Sequence, residues 1–235
     1  MKFYLLILLE FLTLTCFSQD TSKTTDTKWI IGLSGSFNFY KNLKSNAGDN
    51  HKYNYTKTGL RGGIELGYRF SKKSSITTGI FFFNIAYTVD YNWVTNQPQD
   101  PSIPTYTDIK ASYIDIPAIY NFNIISREKI TFYSAGGIVG SILNSSNGMT
   151  IYADNSERKF EYMNSFIFSL QMSLGIQVNL NEKSAIKFEP QYRIFLKGFD
   201  SIMYQSPTAI CGSIAIIHKI NWKNTFKKGA WQPLP

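Results

Sequence analysis

The chain has 235 residues and a formal net charge of +8, and it is 43% hydrophobic, 17% charged and 16% aromatic. That aromatic content excludes a disordered linker or tail, and past the N-terminus no apolar run approaches the roughly 18 residues of a spanning helix. One good-sized β-rich domain or a β-barrel remains, because aromatic and β-branched side chains suit pleated, half-buried surfaces.

Met1-Lys2 leads into a mostly apolar stretch from Phe3 to Cys16, interrupted by Glu10 and followed by Phe17-Ser18-Gln19. A secretory signal peptide over residues 1–18, cut after Ser18, is expected. A stable anchor helix is disfavoured by Glu10 in so short a span, and lipidation of Cys16 by the Thr15 before it. Cleavage leaves Cys211 as the only thiol, so neither an intramolecular disulfide nor a cysteine metal cluster can form. Lys2 and Glu10 leave together, and the mature chain keeps its charge of +8.

Beyond the signal the chain alternates with period two, the mark of strands with one apolar face. Trp29, Ile31, Leu33, Phe37 and Phe39 oppose Gly32, Ser34, Ser36 and Asn38. Leu60, Ile64, Leu66, Tyr68 and Phe70 oppose Arg61, Gly63, Glu65, Gly67 and Arg69. A less clean strand covers Ser75 to Tyr91. Ile114, Ile116, Ala118, Tyr120 and Phe122 then oppose Asp115 and Asn121, and a second less clean strand runs from Ile130 to Leu143. The clearest alternation runs from Ser165 to Leu180, where Ile167 alone breaks the polar face. Ile186, Phe188, Pro190, Tyr192, Ile194 and Leu196 oppose Lys187, Glu189, Gln191 and Arg193, and a last strand runs from Thr208 to about His218.

Three connections are short and charged: Ser71 to Ser74, Ser126 to Lys129 and Asn181 to Ser184. Between them fall long polar loops, Lys41 to Thr56, Asn92 to Ala111, Asn144 to Glu161 and Lys197 to about Pro207. A transmembrane barrel alternates its connections in this way, with short periplasmic turns and long outer loops; a soluble sandwich has no reason to. Period two alone leaves open whether the apolar face is a core or a lipid face, so a soluble lipocalin-like ligand-binding barrel stands as an alternative. Three features favour the membrane. The polar faces are rich in Gly and Ser, the strand lengths suit a tilted crossing, and aromatics gather at strand ends as interfacial girdles: Trp29, Phe39, Tyr40, Tyr68, Phe70, Tyr91, Trp93, Tyr162 and Trp222.

The segment Ser112-Tyr113-Ile114-Asp115-Ile116-Pro117-Ala118-Ile119-Tyr120 resembles the Tyr-Leu-Glu-Ile-Pro-Leu signature of the small outer-membrane β-barrel domain widespread in Bacteroidetes and often labelled PorT-like. Thr77-Thr78-Gly79-Ile80-Phe81-Phe82-Phe83 is similar to that family's Gly-centred third strand, and Ala135-Gly136-Gly137-Ile138-Val139-Gly140 to its Gly-rich fifth. The family signature falls on Tyr113, Ile114, Asp115, Ile116 and Pro117. The chain departs from it in carrying Asp115 where the family has Glu, and in a tail beyond the last strand where such proteins commonly stop at an aromatic. The resemblance implies an outer-membrane location and barrel fold, and no shared catalytic motif.

The expected fold is thus all-β: a transmembrane up-and-down antiparallel β-barrel of about eight strands, OmpA/OmpX-like, with short periplasmic turns and long extracellular loops. Residues 19–27 form a short periplasmic N-terminal segment, 28–220 the barrel and 221–235 a basic periplasmic tail, with Lys219, Lys223, Lys227 and Lys228 clustered toward that end. Seven charged residues fall on inward faces: Arg61, Glu65, Arg69, Asp115, Lys187, Glu189 and Arg193. An eight-stranded barrel is only wide enough for side chains, so a polar network filling the lumen is expected in preference to an ion path.

An outer-membrane lipid-modifying enzyme of small-barrel type is the alternative. Its base is limited to His51, in the first long loop near Asp49, or His218, at the other end of the last strand, and no spacing singles out a nucleophile. No phosphate-cradling loop, metal cluster or cofactor motif is present, and a secreted aromatic barrel is a poor nucleic-acid binder. Tyr53, Tyr55, Trp93, Tyr106 and Tyr152 in the loops suit surface contact. The expected role is non-enzymatic: structural support, surface contact or an accessory to envelope assembly or secretion. Outer-membrane lipid and envelope or secretion-system proteins are the expected partners.

Overall fold

The computed structural model describes residues 29–41, 51–54, 59–91, 103–159, 163–200 and 207–220. Ten strands follow in order: β1 (Trp29–Lys41), β2 (His51–Asn54), β3 (Gly59–Arg69), β4 (Ser74–Tyr91), β5 (Pro104–Ser126), β6 (Ile130–Tyr152), β7 (Glu157–Lys159), β8 (Phe166–Asn179), β9 (Ser184–Phe195) and β10 (Thr208–Ile220). The expected signal peptide, the segment 19–27, the tail 221–235 and the expected girdle residues Trp93, Tyr162 and Trp222 lie outside the described residues.

Every pairing is antiparallel, and β1 closes on β10 while β4 closes on β5, so eight strands form a ring in up-and-down order: β1, β3, β4, β5, β6, β8, β9, β10. Closure satisfies the backbone N–H and C=O groups of each spanning strand within the ring, a condition that a hydrocarbon layer imposes. The short strands β2 and β7 stand outside the ring and pair with the outer ends of β4 and β6.

The side chains settle which face is which. Leu33, Leu174 and Ile216 are 67%, 63% and 61% exposed, and they belong to an outward band that includes Ile31, Phe37, Ile64, Ile80, Phe82, Ile116, Ile138, Phe168 and Ile214. An apolar surface of that extent around a closed barrel is a lipid face, which overturns the soluble lipocalin-like reading. The outward run Trp29–Phe39, at about 3.3 Å per residue and a tilt of about 40°, spans about 25 Å, the height of such a band. Trp29 and Tyr68 meet edge to face at 4.9 Å between ring centroids, and Phe70 stacks on Tyr120 at 6.0 Å, which places aromatic pairs at the short-turn rim.

Three sequence expectations need correcting. Tyr40 is not a girdle residue: even-numbered β1 positions point inward, and its ring packs against Phe195 and Phe199 inside the barrel. Tyr91 likewise packs against the inner apolar cluster and shares a hydrogen bond with Thr107. The stretches Pro104 to Ala111 and Asn144 to Tyr152, expected as loop, continue β5 and β6 above the membrane. Their outward faces are mostly polar (Asp108, Lys110, Asn144, Asn147, with Met149 the exposed apolar exception), so the apolar alternation that marks a spanning strand stops while the hydrogen-bond ladder goes on, through a bulge at Ser112/Tyr113.

The candidate functional site: a layered lumen

Inward side chains climb from the short turns to the long loops and change chemistry on the way. On β9 they read Lys187, Glu189, Gln191, Arg193 and then Phe195; on β4, Ser75, Thr77 and Gly79 give way to Phe81, Phe83, Ile85, Tyr87 and Val89. The lumen is therefore built in layers.

At the turn side Lys187 donates to Glu65 Oε1 at 2.8 Å. One step higher the Tyr133 hydroxyl donates to Glu189 Oε2 at 2.8 Å, while Gln191 Nε2 reaches both Glu189 Oε1 at 3.2 Å and Ser213 Oγ at 3.0 Å. Tyr133 takes this pose because Gly175 has no side chain: a Cβ there would strike the Tyr133 ring. Arg69 lies lower still, lining the open mouth of the barrel.

The next layer is wholly buried. Asp115, fully shielded from solvent, accepts from Arg61 Nε at 3.0 Å and from Arg193 Nη1 at 2.7 Å on one oxygen. Its other oxygen accepts from Arg193 Nη2 at 3.1 Å and Ser141 Oγ at 2.7 Å. Arg193 also donates through Nε to Ser169 Oγ at 2.7 Å and through Nη2 to Ser141 Oγ at 2.9 Å. A bidentate guanidinium–carboxylate pair whose lone pairs are all used is the arrangement in which buried charges can be tolerated. Two guanidiniums share one carboxylate, and aromatic faces take up part of the excess positive charge: Arg61 Cζ sits 3.9 Å from the Phe81 ring centroid, and Arg193 Cζ 4.5 Å from Phe195 and 5.2 Å from Phe83.

Above these rings lies a dry apolar plug of Phe83, Ile85, Tyr87, Val89, Ile109, Tyr113, Ile167, Phe195 and Phe199, flanked by Ala111, Ala209 and Cys211. Phe83 stacks on Tyr113 at 5.2 Å and Phe195 meets Phe199 at 4.7 Å. Phe199 comes from the connection after β9, which folds into the barrel mouth. Asn164 Nδ2 donates to the carbonyls of Gly198 at 2.8 Å and Asp200 at 2.9 Å, and the Asn164 N–H donates to the Phe199 carbonyl at 2.8 Å. The Tyr113 hydroxyl lies 3.2 Å from the Asn164 carbonyl and 3.3 Å from that of Phe199, and the Tyr87 hydroxyl donates to Asp200 Oδ2 at 2.6 Å. This cork brings its own polar atoms into a dry site and bonds them there.

All seven charged residues singled out in the sequence thus face the lumen. Arg61, Asp115 and Arg193 come together, Glu65 meets Lys187, Glu189 joins Tyr133 and Gln191, and Arg69 lines the mouth. The family-signature segment puts Tyr113, Asp115 and Pro117 inward and Ile114 and Ile116 outward, so the plug and the charge layer adjoin on one strand. The cork was missed in the sequence, and so were the partners Ser141, Ser169 and Tyr133; one signal was available, Ile167, whose break in the polar face of β8 marks the plug. Of the histidines, His218 Nδ1 lies 3.1 Å from Ser184 Oγ at the short-turn rim, and no described carboxylate hydrogen-bonds to it. His51 is on β2 at the opposite end, so the two cannot share a site.

Among solved structures the chain is similar to Neisserial surface protein A of Neisseria (9% identity, 82% of this chain and 97% of that one, TM-score 0.44). It is also similar to the attachment invasion locus protein of Yersinia pestis (11% identity, 83% and 99%, TM-score 0.40) and to the outer membrane protein OprG from Pseudomonas aeruginosa (13%, 82% and 94%, TM-score 0.41). No curated protein sequence matches the chain. Residues 17–202 match the model of the outer membrane protein beta-barrel domain, which takes in β1 through β9 and the whole charge layer, and the chain belongs to that family of outer-membrane barrels.

Proposed function

We propose that this outer-membrane barrel is a non-enzymatic protein with a side-chain-filled lumen, serving as structural support, as a surface contact or as an accessory to envelope assembly or secretion. The observation that carries the proposal is the two-layer seal: the Arg61–Asp115–Arg193 layer, each member at most 7% exposed, lies directly beneath an aromatic plug corked by Phe199. A solute path would have to break both. Work done by such a barrel falls to its surfaces, namely the lipid band, the β2 and β7 extensions and the loops above the mouth. Within the family, the Ser112–Tyr120 segment supports a place among the PorT-like barrels of Bacteroidetes, and with it a secretion-accessory role. Outer-membrane lipid and envelope or secretion-system proteins are the partners this reading names.

Cross-linking in intact cells, followed by affinity purification of the full chain, tests it. The expected outcome is one or more envelope proteins captured with the barrel, together with an unchanged lipid A profile on overexpression. An altered acylation pattern that disappears in His51→Ala would replace this reading with the lipid-modifying one.

A further inference from the structure

We infer that the turn-side mouth of the lumen is a binding pocket for a small soluble anion of the phosphate or carboxylate class, open to the periplasm and blind at its inner end. The mouth is a cavity of about 270 Å³ that leads inward to a second of about 40 Å³, the two sharing Glu65, Thr77, Asn121 and Lys187 as walls. The inner space has room for a few waters and ends at Arg61 and Phe81.

Cations outnumber carboxylates along its described walls. Among the described residues Arg69, Lys72, Arg127, Lys187 and Lys219 line the mouth against one carboxylate, Glu65, which Lys187 already engages, and the inner space adds Arg61 and Glu189. Neither Lys72 nor Arg127 pairs with a carboxylate among the described residues. Glu128 and Glu182 belong to the neighbouring turns but do not line the cavity. Positive charge held in a cleft with low-dielectric walls concentrates the field there and draws in small anions.

The rim is also built. Asn123 Nδ2 donates to the Lys72 carbonyl at 3.1 Å, which ties the β3–β4 turn to β5. Asn179 Nδ2 donates to the Glu128 carbonyl at 2.9 Å and Asn179 Oδ1 accepts from Gln177 Nε2 at 2.8 Å, which ties the β5–β6 turn to β8. Adjacent turns are laced together, so Lys72 and Arg127 are carried on fixed backbone over the same opening, with Ser75 and Thr131 supplying hydroxyls below. The cavity lies inside the ring and away from the lipid band, and its size fits a small solute, so neither a lipid headgroup nor a folded protein is its occupant. The pocket does not depend on the role proposed above, since it sits below the seal.

Titration of the full-length protein in zwitterionic detergent, first with inorganic phosphate and then with citrate, each against sodium chloride at matched ionic strength, tests the inference by calorimetry. Saturable binding of at least one of the two is expected, and which one saturates assigns the phosphate or the carboxylate class. The double variant Lys72→Gln, Arg127→Gln should bind about tenfold more weakly or worse, as loss of charge-assisted contacts implies, whereas Lys110→Gln on the loop side should bind as wild type does. A response to phosphate and citrate equal to that of chloride, or an equal loss in Lys110→Gln, overturns the pocket. Heat-modifiable migration on a gel checks that each variant is folded. Should the double variant fail that check, amide protection of wild-type residues 71–74 and 127–129 by phosphate or citrate decides: protection confined to those turns supports the pocket, and its absence refutes it.

Discussion

The two halves of the lumen share the same strands and the same alternation yet solve opposite problems. On the turn side, Lys187 and Glu65 are largely enclosed, their side chains 12% and 10% exposed, but they line the cavity at the short-turn end and compensate each other as a pair. On the loop side the lumen is filled by apolar side chains, and buried polar groups there are mostly bonded, as the Tyr87 and Tyr113 hydroxyls and Asn164 Nδ2 are, with Asn38 Oδ1 an exception. Where the halves meet, Asp115 and its two arginines take features of both, charged but fully bonded, with aromatic faces closing over the guanidiniums. The plug excludes the water that would weaken the charge layer, and the charge layer cross-links the strands that frame the plug.

The largest effect should come from cutting the boundary itself. Asp115→Ala leaves two buried guanidiniums without their counter-ion and should cost about 3–5 kcal/mol, read as the urea midpoint of the refolded barrel in vesicles. An effect below about 1 kcal/mol, the range of an exposed pair, would mean that the layer is wetter than its geometry implies. Phe199→Ala removes the cork and should cost about 3 kcal/mol, with faster amide exchange at Tyr113 and Asn164 and none at the short turns. Exchange that rises equally at both ends would show that the halves are one cooperative unit.

Gly175→Ala acts on the other half. The added methyl displaces Tyr133 from Glu189 and should cost about 1–3 kcal/mol of overpacking, with the loop-side amides unchanged. Smallest is Tyr87→Phe, which removes the hydroxyl that holds Asp200 and should cost about 1 kcal/mol; its exchange signature should match that of Phe199→Ala in place and fall short of it in size.

Much of this was legible in the residues. The spanning strands announced themselves by period two, because a barrel wall one side chain thick must alternate lipid and lumen at every step, and the short and long connections gave the up-and-down order. Charged residues at inward parity could be assigned to the lumen from strand register alone. The plug was harder to read. β4 looked irregular because Phe81, Phe82 and Phe83 supply apolar groups to both faces where the strand leaves the membrane, and above that level its inward face turns apolar while its outward face turns polar. The same inversion hid the upper parts of β5 and β6 among the loops. Tyr40 was set at the rim by its position at a strand end, although its parity pointed inward. Phe199 carried no periodic signal, because it reaches the lumen through a loop whose path is set by hydrogen bonds distant in sequence, from Asn164 and Tyr87.

The seal is the claim on which the rest stands, and conductance across a planar bilayer tests it most directly. Purified wild-type protein, shown by heat-modifiable migration to be folded, should insert and give no steady single-channel current, and Phe199→Ala should also stay closed because the Arg61–Asp115–Arg193 layer remains beneath the missing cork. A stable, reproducible open-state current from the wild-type barrel would contradict the account.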